Sequence, residues 1–176
     1  MKKAPLESPQ RMYDTTVISV GPGITAGLLE HCTAVAKAVI LVTYASGTTP
    51  GCLNPVIRAR VLAGVPVFLV ANNPKNDNGI INSRRYATQV SALEAGAIPI
   101  EKVNVNRIED VLSAIQDGLD AGQTGMELGE TVRVKFAYGP GEKVPLAEWE
   151  TPEGLAALAT RREEMERGIA DIQKAR

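Results

Sequence analysis

The segment TYASGTTPG, residues 43–51, carries five side-chain hydroxyls beside two glycines. Hydroxyls and glycine N–H groups can bind a small polar ligand, but a hydroxyl nucleophile also needs a base that takes its proton. The segment contains no lysine and no histidine. We therefore predict a ligand-contacting or interface loop, and not a self-contained catalytic site. The hydroxyls belong to Thr43, Tyr44, Ser46, Thr48 and Thr49.

The single histidine, His31, precedes Cys32 within a predicted helix. Neighbouring helical residues point about 100° apart, so these two do not by themselves form a nucleophile and base pair. We interpret His31 as a helix residue beside a core thiol. The two cysteines make neither a disulfide framework nor a zinc set, and none of the common catalytic or phosphate-binding motifs occurs. The chain is therefore predicted to have no catalytic residue of its own, no metal and no cofactor.

Two further loops contain ligand-type residues. GPGIT, residues 21–25, could offer backbone N–H groups to an anion at a helix start, or could simply turn the chain from strand to helix. We favour the turn. NNPKNDNG, residues 72–79, is predicted to be a solvated loop whose Asn and Asp residues form turns.

Strand and helix patterns alternate four times along the chain. The strands are continuous apolar runs, which is typical of burial on both faces of a parallel sheet. This predicts an α/β, flavodoxin-like three-layer domain with a four-stranded parallel sheet and right-handed crossovers. Any ligand site then lies in the loops that follow the strands. The strands are expected at residues 15–20, 38–42, 65–71 and 97–100, and the helices at 24–37, 53–63, 84–94 and 106–119.

The pattern changes after Gly122. Residues 130–138, ETVRVKFAY, alternate apolar and polar side chains, which predicts a half-exposed strand. The last 26 residues predict a long helix with Thr151 as its N-cap and apolar residues at a heptad rhythm between 155 and 172. We therefore divide the chain into an N-terminal arm (1–14), the α/β domain (15–122) and an appended strand and helix (123–176).

Composition excludes several classes of function. The formal net charge is -1 and no dense Lys/Arg run occurs, so nucleic-acid binding is not expected. No window approaches 18 apolar residues, so no membrane span is expected. No secretory signal is apparent at the N-terminus, and we expect a cytoplasmic protein.

Several short motifs together resemble one enzyme family. VISVGPGI, AKAVILVTYASGTTP, GVPVFLVANNP and ALEAGAIP follow in the order, and with the residue types, of the C-terminal domain of bacterial and archaeal L-asparaginases. The resemblance covers about residues 15–121. The family's larger N-terminal domain, with its T-G-G-T nucleophile loop and its T-D and lysine pieces, has no counterpart in this sequence.

The resemblance assigns roles to the hydroxyl-rich segment. The family's loop commonly reads Y-G-x-G-N-x-P, in which a residue of one subunit can reach the substrate of its neighbour. Carried over, this implies substrate contacts from Ser46, Thr48, Tyr44 and Gly47. Thr48 stands where the family has Asn, and Ala45 where glycine is common.

The sequence is compatible with three functions. The chain could be the small subunit of a split asparaginase-like amidohydrolase, not catalytic alone, whose partner bears the N-terminal domain and the nucleophile. It could be a non-catalytic assembly or structural protein that reuses the fold and self-associates. It could also be a sensor of a small molecule. The resemblance implies an amide or amino acid as the small ligand.

Overall fold

The computed structural model describes residues 12–44, 47–72 and 87–137, all of which belong to one compact unit, Met1–Ala137. Four strands form a parallel sheet in the order β1-β2-β3-β4: β1 (Thr15–Ser19), β2 (Ala38–Thr43), β3 (Val67–Ala71) and β4 (Ile98–Asn104). Within these described ranges, five α-helices surround the sheet: α1 (Ala26–Thr33), α2 (Asn54–Leu62), α3 (Ala87–Glu94), α4 (Ile108–Asp120) and α5 (Gly125–Ala137). The predicted α/β, flavodoxin-like fold is confirmed.

The sheet is covered on both faces by separate apolar clusters. Every residue of β2 and β3 is buried. Successive side chains of a strand point to opposite faces, so Val39 and Leu41 pack with α1, α2 and α3. Ile40 and Phe68 pack with α4 and α5 on the other face. This burial on both sides explains why β2 and β3 are continuous apolar runs in the sequence.

The predicted strand at residues 130–138 is wrong, because residues 125–137 form α5. Leu128, Val132 and Phe136 are buried, and they recur every four residues, as one face of a helix does. Val132 and Phe136 fit both a period of two and a helical period, so the alternation alone could not separate the two structures. Tyr138 lies outside the described residues.

Helix α5 packs on β4 and α4, although it lies within the predicted extension 123–176. A glycine allows the close approach: a Cβ on Gly129 would lie 2.3 Å from Ile98 Cδ1. The hydrophobic core therefore includes residues beyond 122. The predicted heptad helix and the N-terminal residues 1–11 lie outside the part of the chain that the structure describes.

Helix α1 is shorter than predicted and buries fewer residues. Only Leu29 and Thr33 are buried, whereas Leu28, Cys32 and Val35 are exposed. The interpretation of Cys32 as a core thiol is therefore wrong. The apolar pattern of this segment spans more of the helix circumference than the sheet covers.

Candidate functional site

The segments that follow β1, β2 and β3 begin at the same edge of the sheet. Hydrogen bonds continue past the strand ends, since Val20 N donates to Val42 O at 2.8 Å and Asn72 N donates to Thr43 O at 3.0 Å. Thr43 pairs with Ala71, so the chain leaves β2 beside the point where it leaves β3. This carboxyl edge is where ligands bind in open α/β sheets.

The loop after β2 folds back on itself directly at the strand end. Gly47 N donates to Tyr44 O at 2.7 Å, and Tyr44 N donates to Thr48 O at 3.2 Å. Gly47 has φ +77°, a left-handed conformation that favours glycine. Gly47 therefore fixes the path of the loop, and its predicted ligand contact stays a prediction.

The segment after the loop is anchored in the core. Leu53 is fully buried, and its N–H donates to Pro50 O at 3.1 Å within a short 3-10 turn, Gly51–Leu53. Helix α2 begins at the next residue, with Pro55 near its start, where the missing N–H has no helical partner. The loop is thus held between a buried strand and a buried leucine.

Thr43 has a structural role. Its side chain is buried, and Thr43 Oγ1 lies 3.1 Å from both Val70 O and Tyr44 O. A hydroxyl has one hydrogen to donate, so it shares that hydrogen between the two carbonyls. Thr43 joins the end of β2 to β3 and is not a ligand-binding group.

Thr49 is also buried, with 2% of its surface exposed. Its Oγ1 makes no hydrogen bond, although a buried hydroxyl normally has a partner. Nothing in the sequence distinguishes Thr49 from Thr48, yet the two differ in burial. Thr49 does not present its hydroxyl to solvent.

The remaining hydroxyls are the candidates for ligand contact. Tyr44 is 40% exposed at the strand end, and Thr48 is partly exposed beside Gly47. Ser46 lies outside the described residues, so its predicted contact remains a prediction. Thr43 and Thr49 are therefore buried in the fold, whereas Tyr44 and Thr48 keep exposed surface at the edge.

Sequence reasoning missed Asn72 as a member of this edge. The sequence predicts that Asn72 belongs to a solvated loop, but its N–H extends the pairing of β3 with β2 and the residue is exposed next to the Tyr44 position. A side-chain amide there could donate to and accept from a small polar ligand. The signal was its place directly after Ala71, the last residue of an apolar run.

The first loop is a glycine turn, in agreement with the favoured interpretation. Gly23 has φ +93°, and Ile24 N donates to Gly21 O at 3.2 Å. Thr25 Oγ1 accepts a hydrogen bond from Leu28 N at 3.2 Å and caps α1. A side chain of the chain itself therefore satisfies part of this helix start.

Acid–base groups are missing from the loop after β2. Residues 43–57 contain no charged side chain. The next cations are bound elsewhere: Arg58 Nη2 donates to Glu94 O at 3.4 Å, and Arg60 Nε donates to Thr33 Oγ1 at 3.0 Å. Among residues 12–44, 47–72 and 87–137, no three His, Cys, Asp or Glu side chains cluster as a metal site would require.

His31 and Cys32 do not belong to this edge. Both are exposed on α1, which starts at the carboxyl edge and runs back along the sheet. At about 1.5 Å per residue, His31 lies roughly 8 Å along the helix from its first residue. The structure does not bring these two side chains to the hydroxyl-rich loop.

No described helix is both long enough and apolar enough to cross a membrane.

Comparison with known proteins gives structural neighbours only. No protein-family model matches the chain, and no curated protein sequence matches it. The thermostable L-asparaginase from Thermococcus kodakarensis superposes with a TM-score of 0.60 at 22% identity, over 72% of this chain and 38% of the enzyme. L-asparaginase I from Vibrio cholerae gives a TM-score of 0.58 at 22% identity, over 77% of this chain and 39% of the enzyme.

The matched region is about two-fifths of the length of each enzyme. Identity at this level shows a shared fold and leaves the chemistry to the residues of the site. The chain therefore has an asparaginase-like α/β fold, with two partly exposed hydroxyl-bearing residues and no charged residue in the loop after β2.

Proposed function

We propose that this chain corresponds to the C-terminal domain of an L-asparaginase and completes the substrate site of a partner chain that carries the nucleophile. The observation that carries the proposal is the loop after β2. It presents Tyr44 and Thr48 at the carboxyl edge and has no base, acid or lysine within it. Such a loop can bind a substrate, but it cannot activate a nucleophile.

The chemistry of the edge suits a small amide or amino acid. Hydroxyls both donate and accept hydrogen bonds, as do the side-chain amide of Asn72 and the carboxamide of asparagine. The uncharged loop leaves the substrate's carboxylate and ammonium groups to be bound by the partner. The motif order from residue 15 to residue 121 supports the same correspondence.

The direct test measures hydrolysis of asparagine and glutamine by the full chain, alone and mixed with a candidate partner that contains a T-G-G-T loop. We expect no activity from either chain alone and ammonia release from the mixture. Absence of hydrolysis in the mixture, with binding of the two chains demonstrated separately, would contradict the proposal.

Two adjacent threonines give a matched pair of variants for that assay. Thr48→Val removes the hydroxyl of a partly exposed residue, and Thr49→Val makes the same chemical change at a buried residue. Loss of a substrate hydrogen bond of about 1 kcal/mol lowers kcat/KM roughly fivefold. We expect that loss from Thr48→Val and Ser46→Ala, and an unchanged kcat/KM from Thr49→Val.

A second function, as a non-catalytic assembly protein, is favoured by a different observation. Val17, Leu28 and Val35 are large apolar residues exposed on β1 and on or beside α1. An assembly role requires association without hydrolysis. A mixture that associates but releases no ammonia would favour it.

A further inference from the structure

Among the described residues, strand β1 is an edge of the sheet and lacks the usual protection. It pairs with β2 alone within the described residues. Its sequence, TTVIS, contains no charge and no proline. Natural edge strands usually carry lysine, proline or a bulge, because unpaired N–H and C=O groups otherwise recruit another strand.

The outward groups of β1 are those of Thr15, Val17 and Ser19. Val20 N donates toward β2, at 2.8 Å from Val42 O. Successive residues of a strand direct their backbone groups to alternate sides, so the odd-numbered residues of β1 point away from β2.

We propose that two copies of this chain pair through β1, antiparallel, about a two-fold axis at Val17. This register places Val17 opposite its own copy and Thr15 opposite Ser19 of the second chain. Each facing pair consists of outward residues, so each exchanges two N–H···O bonds. The strand is thus self-complementary, and the two sheets become one.

The proposed pairing also explains an exposed apolar surface on α1. Thr33 Oγ1 accepts from Arg60 Nε, so that side of α1 faces α2. On a helix of 3.6 residues per turn, the buried Leu29 and Thr33 form a stripe. Leu28 and Cys32 lie on one side of that stripe, and α2 lies on the other. They therefore face away from α2, toward the free edge, and Leu28 is 51% exposed.

The spacing of the two copies of α1 fits. Strands are about 4.8 Å apart, so a helix centred over β1 and β2 lies about 4.8 Å from a two-fold axis beside β1. The two copies of α1 would then be about 9.6 Å apart, within the roughly 8–10 Å of packed helices. Leu28 and Cys32 would be buried between them.

The other face of the sheet is consistent with the same axis. Ile18 and Val20 pack with α1 to α3, so Val17 points to the opposite face, where it is 40% exposed. Pairing brings the two Val17 side chains together. No charged residue of β1 meets its own copy, so no like-charge repulsion opposes the contact.

The size of this surface sets the expected affinity. A five-residue strand about 17 Å long, with a helix layer about 10 Å away on each face, offers on the order of 400 Å² per chain. A standard interface buries about 800 Å² per partner. We therefore expect a dimer that dissociates on dilution, and this inference is independent of the proposed function.

The first experiment measures the mass of the full chain by sedimentation between about 1 µM and about 1 mM, a range that covers weak association. We expect a rise from 18.7 kDa toward twice that mass. Val17→Pro removes only an outward N–H and is tolerated at an edge. It should keep the circular dichroism of the parent and lower the association constant at least tenfold.

The second experiment tests the register by oxidation in a Cys32→Ala, Cys52→Ala background. Val17→Cys should form a disulfide-linked dimer, because facing Cα atoms about 5.5 Å apart suit a disulfide. Ser19→Cys should not, since its own copy is four residues further along the strand. A monomer at all concentrations, or equal cross-linking of the two variants, would overturn the proposal.

Discussion

The helix on the β4 side of the sheet and the helix on the β1 side differ in how completely their apolar residues are buried. On the β4 side, α5 buries Leu128, Val132 and Phe136, and Gly129 brings the helix close to Ile98. On the β1 side, α1 buries Leu29 and leaves Leu28 exposed. The β4 side is therefore packed by α5, whereas the β1 side keeps exposed apolar surface among the residues that the structure describes.

This difference shows that apolar content does not reveal how a helix is used. Both helices carry apolar residues on more than one face, yet only α5 has glycines at its closest contacts, Gly129 on itself and Gly118 on α4. Close approach needs those glycines because a Cβ there would overlap Ile98 or Leu128. On the β1 side, exposure of α1 leaves room for a partner.

The largest expected effect comes from truncating one leucine on each side. Leu128 is fully buried on α5, and Leu128→Ala should lower the free energy of unfolding by about 2–5 kcal/mol, because it leaves a cavity. Leu28 is half exposed on α1, and Leu28→Ala should change it by less than about 0.5 kcal/mol in the monomer. Urea denaturation at low protein concentration measures both.

Equal losses from the two substitutions would remove the contrast between the sides. A loss of unfolding free energy for Leu28→Ala that grows with protein concentration would sharpen the contrast. Dimer formation raises the apparent stability of the parent by mass action, and it does so only at concentrations where the dimer forms. Leu128→Ala should show the same deficit at every concentration.

The sheet could be predicted because its signal is local. Four apolar runs, separated by helical patterns, leave few arrangements other than a parallel sheet. Helix α5 could not be predicted in the same way, since Val132 and Phe136 fit both a strand and a helix. The assignment of α5 as a helix depends on its contacts within the apolar cluster that contains Ile98 and Leu112, residues that precede α5 in the sequence.

The position of the hydroxyl-rich loop was predictable from the sequence, but the burial of its side chains was not. The end of β2 located the hydroxyl-rich loop in the sequence, whereas the positive φ of Gly47 is seen only in the structure. Which threonine is buried depends on tertiary packing around Thr43 and Thr49, and no local pattern reports it. The position of Asn72 beside Tyr44 follows from the register of β2 with β3, which the sequence does not reveal.

A smaller effect separates the two buried threonines of the loop. Thr43→Val removes the hydroxyl that lies 3.1 Å from Val70 O and should cost about 1 kcal/mol of unfolding free energy. Thr49→Val removes a hydroxyl with no partner, so it should be neutral or slightly stabilising. Thermal unfolding of the two variants under one buffer condition measures the difference in stability. A larger loss of stability for Thr49→Val would show that the Thr49 hydroxyl makes a hydrogen bond in solution.

The smallest effect concerns an ion pair at the start of β1. Lys37 Nζ lies 2.8 Å from Asp14 Oδ2, and both side chains are exposed. The hydrogen bond to Asp14 and its charge, with a further contribution from Asp120, raise the pKa of Lys37 above its usual 10.5. The charge of Lys37 therefore contributes its full stabilisation below pH 10.5, the usual pKa of lysine. That contribution is lost as the pH rises through the higher pKa of Lys37 in the folded state.

Lys37→Met should therefore lower Tm slightly at pH 8, because exposed pairs contribute little, and the difference from the parent should vanish at strongly alkaline pH. Lys37→Arg is the matched control. Because arginine keeps its proton throughout that range, the Tm of this variant should stay above that of Lys37→Met at alkaline pH. If the Met variant kept the same deficit at high pH, the stem of Lys37 and not its charge would be what holds β1 to β2. The β1 side would then be closed partly by apolar packing, and its contrast with the β4 side would be smaller.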